Sequence, residues 1–133
     1  MLAAIDIGSN TVLGLAARQN SEGVLETLHE CGVTPRLGEG LNASGILKPE
    51  AIARTLDGIA EVLEELRQGT AAGDPLAVFV GATSAVRCAG NRQEFLEAFH
   101  RRFGFFPRVL SGDEEAMCSF TGAVAAEGEA DPS

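Results

Sequence analysis

The chain has 133 residues, 45% hydrophobic and 22% charged, the composition of one globular domain large enough to bury a core and not of a disordered tail. Its 19 Asp and Glu against 10 Lys and Arg leave a net charge of −9, which argues against a general nucleic-acid or anionic-membrane surface and confines any phosphate site to a local feature. Cys31, Cys88 and Cys118 are odd in number and lack CxxC spacing, His29 and His100 lack ligand spacing, and no apolar run reaches membrane-spanning length, so the expectation is a soluble, reduced, cytoplasmic protein without a metal centre built on those residues.

Leu2 to Ile7 and Val12 to Ala17 each have the length and apolar content of a core strand. Between them lies Gly8-Ser9-Asn10-Thr11, where the glycine opens backbone space and the next three residues add hydroxyl and amide groups. Such a turn suits a phosphate held in a nest of donors, and it equally suits an ordinary hairpin. Asp6 closes the first strand, where a carboxylate can hold a hydrated Mg²⁺ or orient a water.

Arg18 to Gly23 reads as a turn, and Val24 to Cys31 partly alternates, giving a third strand. Pro35 to Gly45 is glycine-rich and shows no core pattern; it is either a plain connector or a rim on which Arg36 or Glu39 faces a cleft. Lys48-Pro49-Glu50 opens a helix, with proline at the first helical position and an acid at the positive end of the dipole. Ile52, Leu56, Ile59, Leu63 and Leu66 then form one apolar stripe, and Glu61, Glu64, Glu65 and Arg67 decorate the solvated faces.

Pro75 to Gly81 is a continuous apolar run, as expected of a strand covered on both faces. Thr83, Ser84 and Arg87 follow its carboxyl end, where α/β sheets bind ligands, and arginine's fork of donors matches phosphate oxygens. The alternative is that Arg87 pairs with a surface carboxylate, and its position after the strand favours the anion. Asn91 is placed to cap a second helix to about Arg102 with Phe95, Leu96 and Phe99 on its buried face, and Arg108 to Leu110 makes a short last strand. Ser111-Gly112-Asp113-Glu114-Glu115-Ala116 puts acids at a helix start, which the dipole alone favours, although one glutamate could serve as a general base.

Four segments in order, DIGSNT, RLGEGL, ATSAVRCAGNRQEF and VLSGDEEA, resemble the N-terminal part of the Ppx/GppA family of exopolyphosphatases and guanosine pentaphosphate phosphohydrolases. The resemblance implies an α/β, RNase H-like half-domain of the actin-like ATPase and sugar-kinase superfamily. Its order is β-β-β-α-β-α-β-α, a mixed sheet flanked by helices. It spans 1–126, with 127–133 a linker cut short before a second domain. It further implies a phosphate site of Gly8, Ser9, Asn10, Thr11, Thr83, Ser84 and Arg87, a divalent cation such as Mg²⁺ at Asp6, and Glu115 as the base that activates water. The substrate would be polyphosphate or a guanosine polyphosphate, with no nucleic-acid or membrane partner.

Two positions depart from the family pattern. Leu13 stands where a cationic residue is usual in the first loop, and Met117 where an arginine usually follows the E-E-A segment. Both losses weaken the expectation of long polyphosphate. The second phosphate loop of the family is not in this sequence, so the chain alone is expected to be inactive, and its exposed cleft face would favour a homodimer. A non-catalytic nucleotide- or alarmone-binding member is the alternative, and a kinase-type relative is disfavoured by the Glu115 segment.

Overall fold

The computed structural model describes residues 2–68 and 77–111. Strands β1 (Leu2–Ile7), β2 (Val12–Gln19) and β3 (Leu25–Val33) form the antiparallel meander that the alternation of apolar runs and polar turns predicts. β4 (Ala77–Ala82) lies parallel beside β1, and β5 (Arg108–Val109) lies parallel beside β4, so the five-stranded order is β3-β2-β1-β4-β5. The helices are α1 (Leu41–Ser44), α2 (Pro49–Gln68), α3 (Ser84–Cys88) and α4 (Arg92–Phe103). No helix of the described residues is long and apolar enough to cross a membrane.

The strand period of two assigns the faces. Ala3, Ile5 and Ile7 are buried in one cluster with the α2 stripe and with Phe95 and Phe99 of α4. All five stripe residues expected of α2 are buried. Two glycines let this helix approach closely. A Cβ at Gly14 of β2 would press into Val62, and one at Gly58 of α2 would stand 2.8 Å from Val33 Cγ2.

The other face of the sheet is different. Asp6, Leu13 and Phe79 are exposed there, and with Leu110 they line an open groove of about 440 Å³. The expectation that both faces of β4 are covered therefore fails among the described residues: Phe79 is 38% exposed, because its side chain alternates onto the open face.

Pro35 to Gly45 also differs from a coreless loop. It contains α1, and Leu37 is fully buried, as is Leu47 just beyond. Asn91 explains part of this. It stands at the N-cap of α4 without capping the helix through its side chain. Instead its Oδ1 accepts from the Leu47 N–H at 2.7 Å and its Nδ2 donates to the Leu47 carbonyl at 3.0 Å. The same Nδ2 also donates to Glu94 Oε2 in the first turn of α4 at 2.7 Å, so a residue expected to start a helix both stays tied to that turn and fastens a distant connector.

Candidate functional site

The carboxyl ends of the adjacent parallel strands β1 and β4 bring the two polar segments together. Gly8 N–H closes the β1–β2 turn on the Thr11 carbonyl at 2.9 Å, so this N–H belongs to the hairpin. The carbonyls of Ser9 and Asn10 accept from Gly38 and Arg36 at 2.7 and 3.0 Å. Among the described residues nothing accepts from the backbone N–H of Ser9 or Asn10. Among the described residues the turn is thus held by its carbonyls while two of its donors stay open, as suits an anion-binding concavity.

Thr83 ties the second segment down. Its N–H and its Oγ1 both donate to the Ile7 carbonyl, at 3.1 and 3.3 Å, and the residue is buried. Its hydroxyl is therefore engaged in joining β4 to β1. Ser84 is half-buried, and its Oγ lies 2.9 Å from Ser9 Oγ, a direct bridge between the two loops. Arg87 Nη1 donates to the Leu110 carbonyl at 2.8 Å, which seats the guanidinium at the ends of β4 and β5 rather than on a surface carboxylate through that nitrogen.

The rim segment is closer to the site than its sequence suggests. Arg36 has a φ of 56°, a left-handed conformation uncommon outside glycine, and its N–H is bound to the turn. Glu39 is held by Arg54 at 2.8 Å, and the hydrogen bond and charge of that guanidinium keep its carboxyl below the usual range. The signal for this docking is the R-L-G-E-G-L spacing, which leaves Leu37 to bury while its neighbours reach the turn. Glu115, expected as the base, and Met117 lie outside the described residues.

The profile of the Ppx/GppA phosphatase family matches residues 16–132. The chain belongs to this family. It is 36% identical over 137 aligned positions to "Exopolyphosphatase 2" of Mycobacterium tuberculosis, across 97% of this chain and 42% of that protein. A crystal structure of the Aquifex aeolicus Ppx/GppA member superposes with a TM-score of 0.75 at 30% identity, covering 86% of this chain and 36% of that one. An exopolyphosphatase structure from Cytophaga hutchinsonii superposes with a TM-score of 0.73 at 25% identity, covering 84% and 34%. The mixed sheet with its helices is accordingly the N-terminal domain of the actin-like ATPase fold, as the resemblance implies. This Ppx/GppA chain spans about two-fifths of the curated relative's length.

Within the Ppx/GppA fold, Leu13 occupies a telling place. It pairs across the ladder with Asp6, is 54% exposed, and lines the groove on the open face. Where the resemblance implies a cationic residue, this chain has an apolar side chain beside an acid.

Proposed function

We propose that the chain forms the N-terminal lobe of a hydrolase that cleaves phosphoanhydride bonds of inorganic polyphosphate or pppGpp, in a cleft completed by a second domain. The carrying observation is the Ser9–Ser84 contact of 2.9 Å at the ends of β1 and β4, beside two backbone donors that no described residue engages. Gly8 keeps the turn open to a phosphate, the N–H groups of Ser9 and Asn10 and the hydroxyls of Ser9, Thr11 and Ser84 receive its oxygens, and Thr83 holds the two loops in register. Arg87, fixed through Leu110, offers the positive charge needed where oxygens accumulate negative charge. Glu115, five residues beyond Leu110 in the sequence, takes the proton of the attacking water.

Asp6 suits Mg²⁺ or a similar divalent cation. It is an exposed carboxylate outside any described cluster of three ligating side chains, and Mg²⁺ is commonly held by one or two carboxylates with waters and substrate phosphates. When bound, such a cation offsets the charge of the phosphate oxygens. The free thiols of Cys31 and Cys88 support a reducing, cytoplasmic setting.

A second reading, a nucleotide- or alarmone-binding member without turnover, is favoured by Leu13, which puts an exposed apolar surface where a polyanion would need a cation. Phosphate release from polyphosphate and from pppGpp with Mg²⁺ separates the two. It is measured on the whole protein that carries this chain, beside Glu115→Gln. Release that falls at least a hundredfold in the variant supports the hydrolase, while equal release from both removes Glu115 from the mechanism. No release from either, with retained nucleotide binding, favours the second reading.

A further inference from the structure

β3 is the outer strand of the sheet, and His29 and Cys31 sit two residues apart on it, on the side that faces α2. Cys31 Sγ lies 4.0 Å from the Val62 carbonyl of α2, and His29 Nε2 lies 2.7 Å from Glu65 Oε2. One nitrogen, one sulfur and one carboxylate oxygen thereby converge, all within 4.8 Å of one another. Cys31 pairs with Gly14, whose Cβ position looks towards Val62 and Cys31 Sγ. Asp6 pairs with Leu13, the neighbour of Gly14 in β2, so the thiol and the Asp6 carboxylate leave the sheet on opposite faces.

We propose that His29, Cys31 and Glu65 bind a divalent transition-metal ion of the zinc type, with water in the fourth position. The donor set makes the choice. Thiolate and imidazole suit zinc and its neighbours, whereas Mg²⁺ and Ca²⁺ take oxygen ligands. Tetrahedral bonds of about 2.0–2.3 Å place donors roughly 3.3–3.7 Å apart. The His29–Glu65 contact of 2.7 Å must open by roughly 0.6–0.7 Å, and the longer separations, which reach up to 4.8 Å, must close by up to roughly 1.1–1.5 Å. Both outer ligands are free to do so, since the His29 and Glu65 side chains are 38% and 52% exposed. The backbone needs no change, because the alternation of β3 already aims His29 and Cys31 to the same side.

A nucleophilic thiol is the competing use of the same residues, and the surroundings oppose it. Burial first, then the hydrogen bond and charge of Glu65, push the Cys31 thiol up to about 11. The carboxylate that disfavours a bare thiolate becomes a co-ligand once a cation arrives, and a coordinated thiol is deprotonated by the metal itself. The ion would clip the sheet's outer strand to α2, so its binding free energy would add to folding.

The 133-residue chain carrying Cys88→Ser and Cys118→Ser leaves Cys31 as its single thiol. Titration with Co²⁺ should give a thiolate-to-cobalt charge-transfer band that saturates at one equivalent, is displaced by Zn²⁺ and is untouched by Mg²⁺. Adding Cys31→Ser should abolish the band. Glu65→Gln should weaken Co²⁺ binding at least tenfold, the lower end of what even an outer-shell partner contributes. His29→Gln should do the same, with far-UV circular dichroism confirming the fold of each variant. Absence of the band in the single-thiol chain overturns the site, as does its persistence after Cys31→Ser or an unchanged affinity after Glu65→Gln.

Discussion

Replacing Gly14 with alanine probes the contact that sets the distance between α2 and the sheet. An added Cβ would collide with Val62 Cγ1 and would stand 3.2 Å from Leu66 Cδ1 and 3.4 Å from Cys31 Sγ. Val62 and Leu66 are both buried, so neither can swing into solvent. Overpacking of this kind costs about 1–3 kcal/mol. Alanine recovers about 0.5–1 kcal/mol of the entropic penalty of glycine inside a strand. The net expectation is a loss of about 1–2 kcal/mol. Val62→Ala alone loses about 1.5–3 kcal/mol through the two deleted methyl groups and the void they leave. In the double variant the new methyl occupies part of that void, so the combined loss should fall short of the sum by at least about 1 kcal/mol. Urea unfolding of the four proteins, followed by circular dichroism, gives each midpoint and slope. If the two losses add to within about 0.5 kcal/mol, the claim that Gly14 is a close-approach glycine is refuted. The same variant bears on the proposed metal clip, since a displaced α2 carries Glu65 away from Cys31.

Two further outcomes are expected. The Glu39 carboxyl should titrate by NMR below its ordinary 4.5, chiefly because Arg54 stabilises its charged form, and Arg54→Ala should raise it towards that value while Lys48 and Arg36 still hold it down. By linkage the contribution of this pair is present above pH 4.5 and is lost as the pH falls through the depressed value, so the variant should narrow its stability gap to the parent in acid. On the proposed hydrolase reading, Leu13→Arg in a protein that carries both lobes should lower KM for polyphosphate roughly tenfold or more, the worth of a charge-assisted hydrogen bond of about 1.5–3 kcal/mol. An unchanged KM would mean that a cation beside Asp6 does not reach the substrate.

The parts of the fold legible in the sequence are those set by local pattern. β1 to β3 and α2 announce themselves because each carries its own periodicity and its own turn or cap, and tertiary packing reinforces that choice. Leu37 and Leu47 were not recognisable as core, because isolated leucines in a glycine-rich segment have no periodic neighbours and are buried by contacts from elsewhere in the chain. The open face was missed for a related reason: a continuous apolar run looks the same whether one or both faces are covered. At the candidate site, the polar glycine turn suggests Ser9 and the carboxyl end of β4 suggests Ser84 and Arg87, and the structure sets the two serine hydroxyls 2.9 Å apart. That Thr83 engages its hydroxyl on Ile7, and that Arg36 docks on the turn, depends on three-dimensional neighbours. The same is true of Glu65, which meets His29 across 36 positions and looks in sequence like one more solvated acid.

The contact between Ser9 and Ser84 spans 75 positions. The β1–β2–β3 meander and its packing on α2 need only nearer partners, and loop closure favours such pairings early. The crevice between β1 and β4 therefore needs both halves of the chain, and the meander alone does not contain it. A phosphate compound gripped there would act as a fastener for the complete arrangement, slowing its undoing while leaving the first steps of assembly at their own pace.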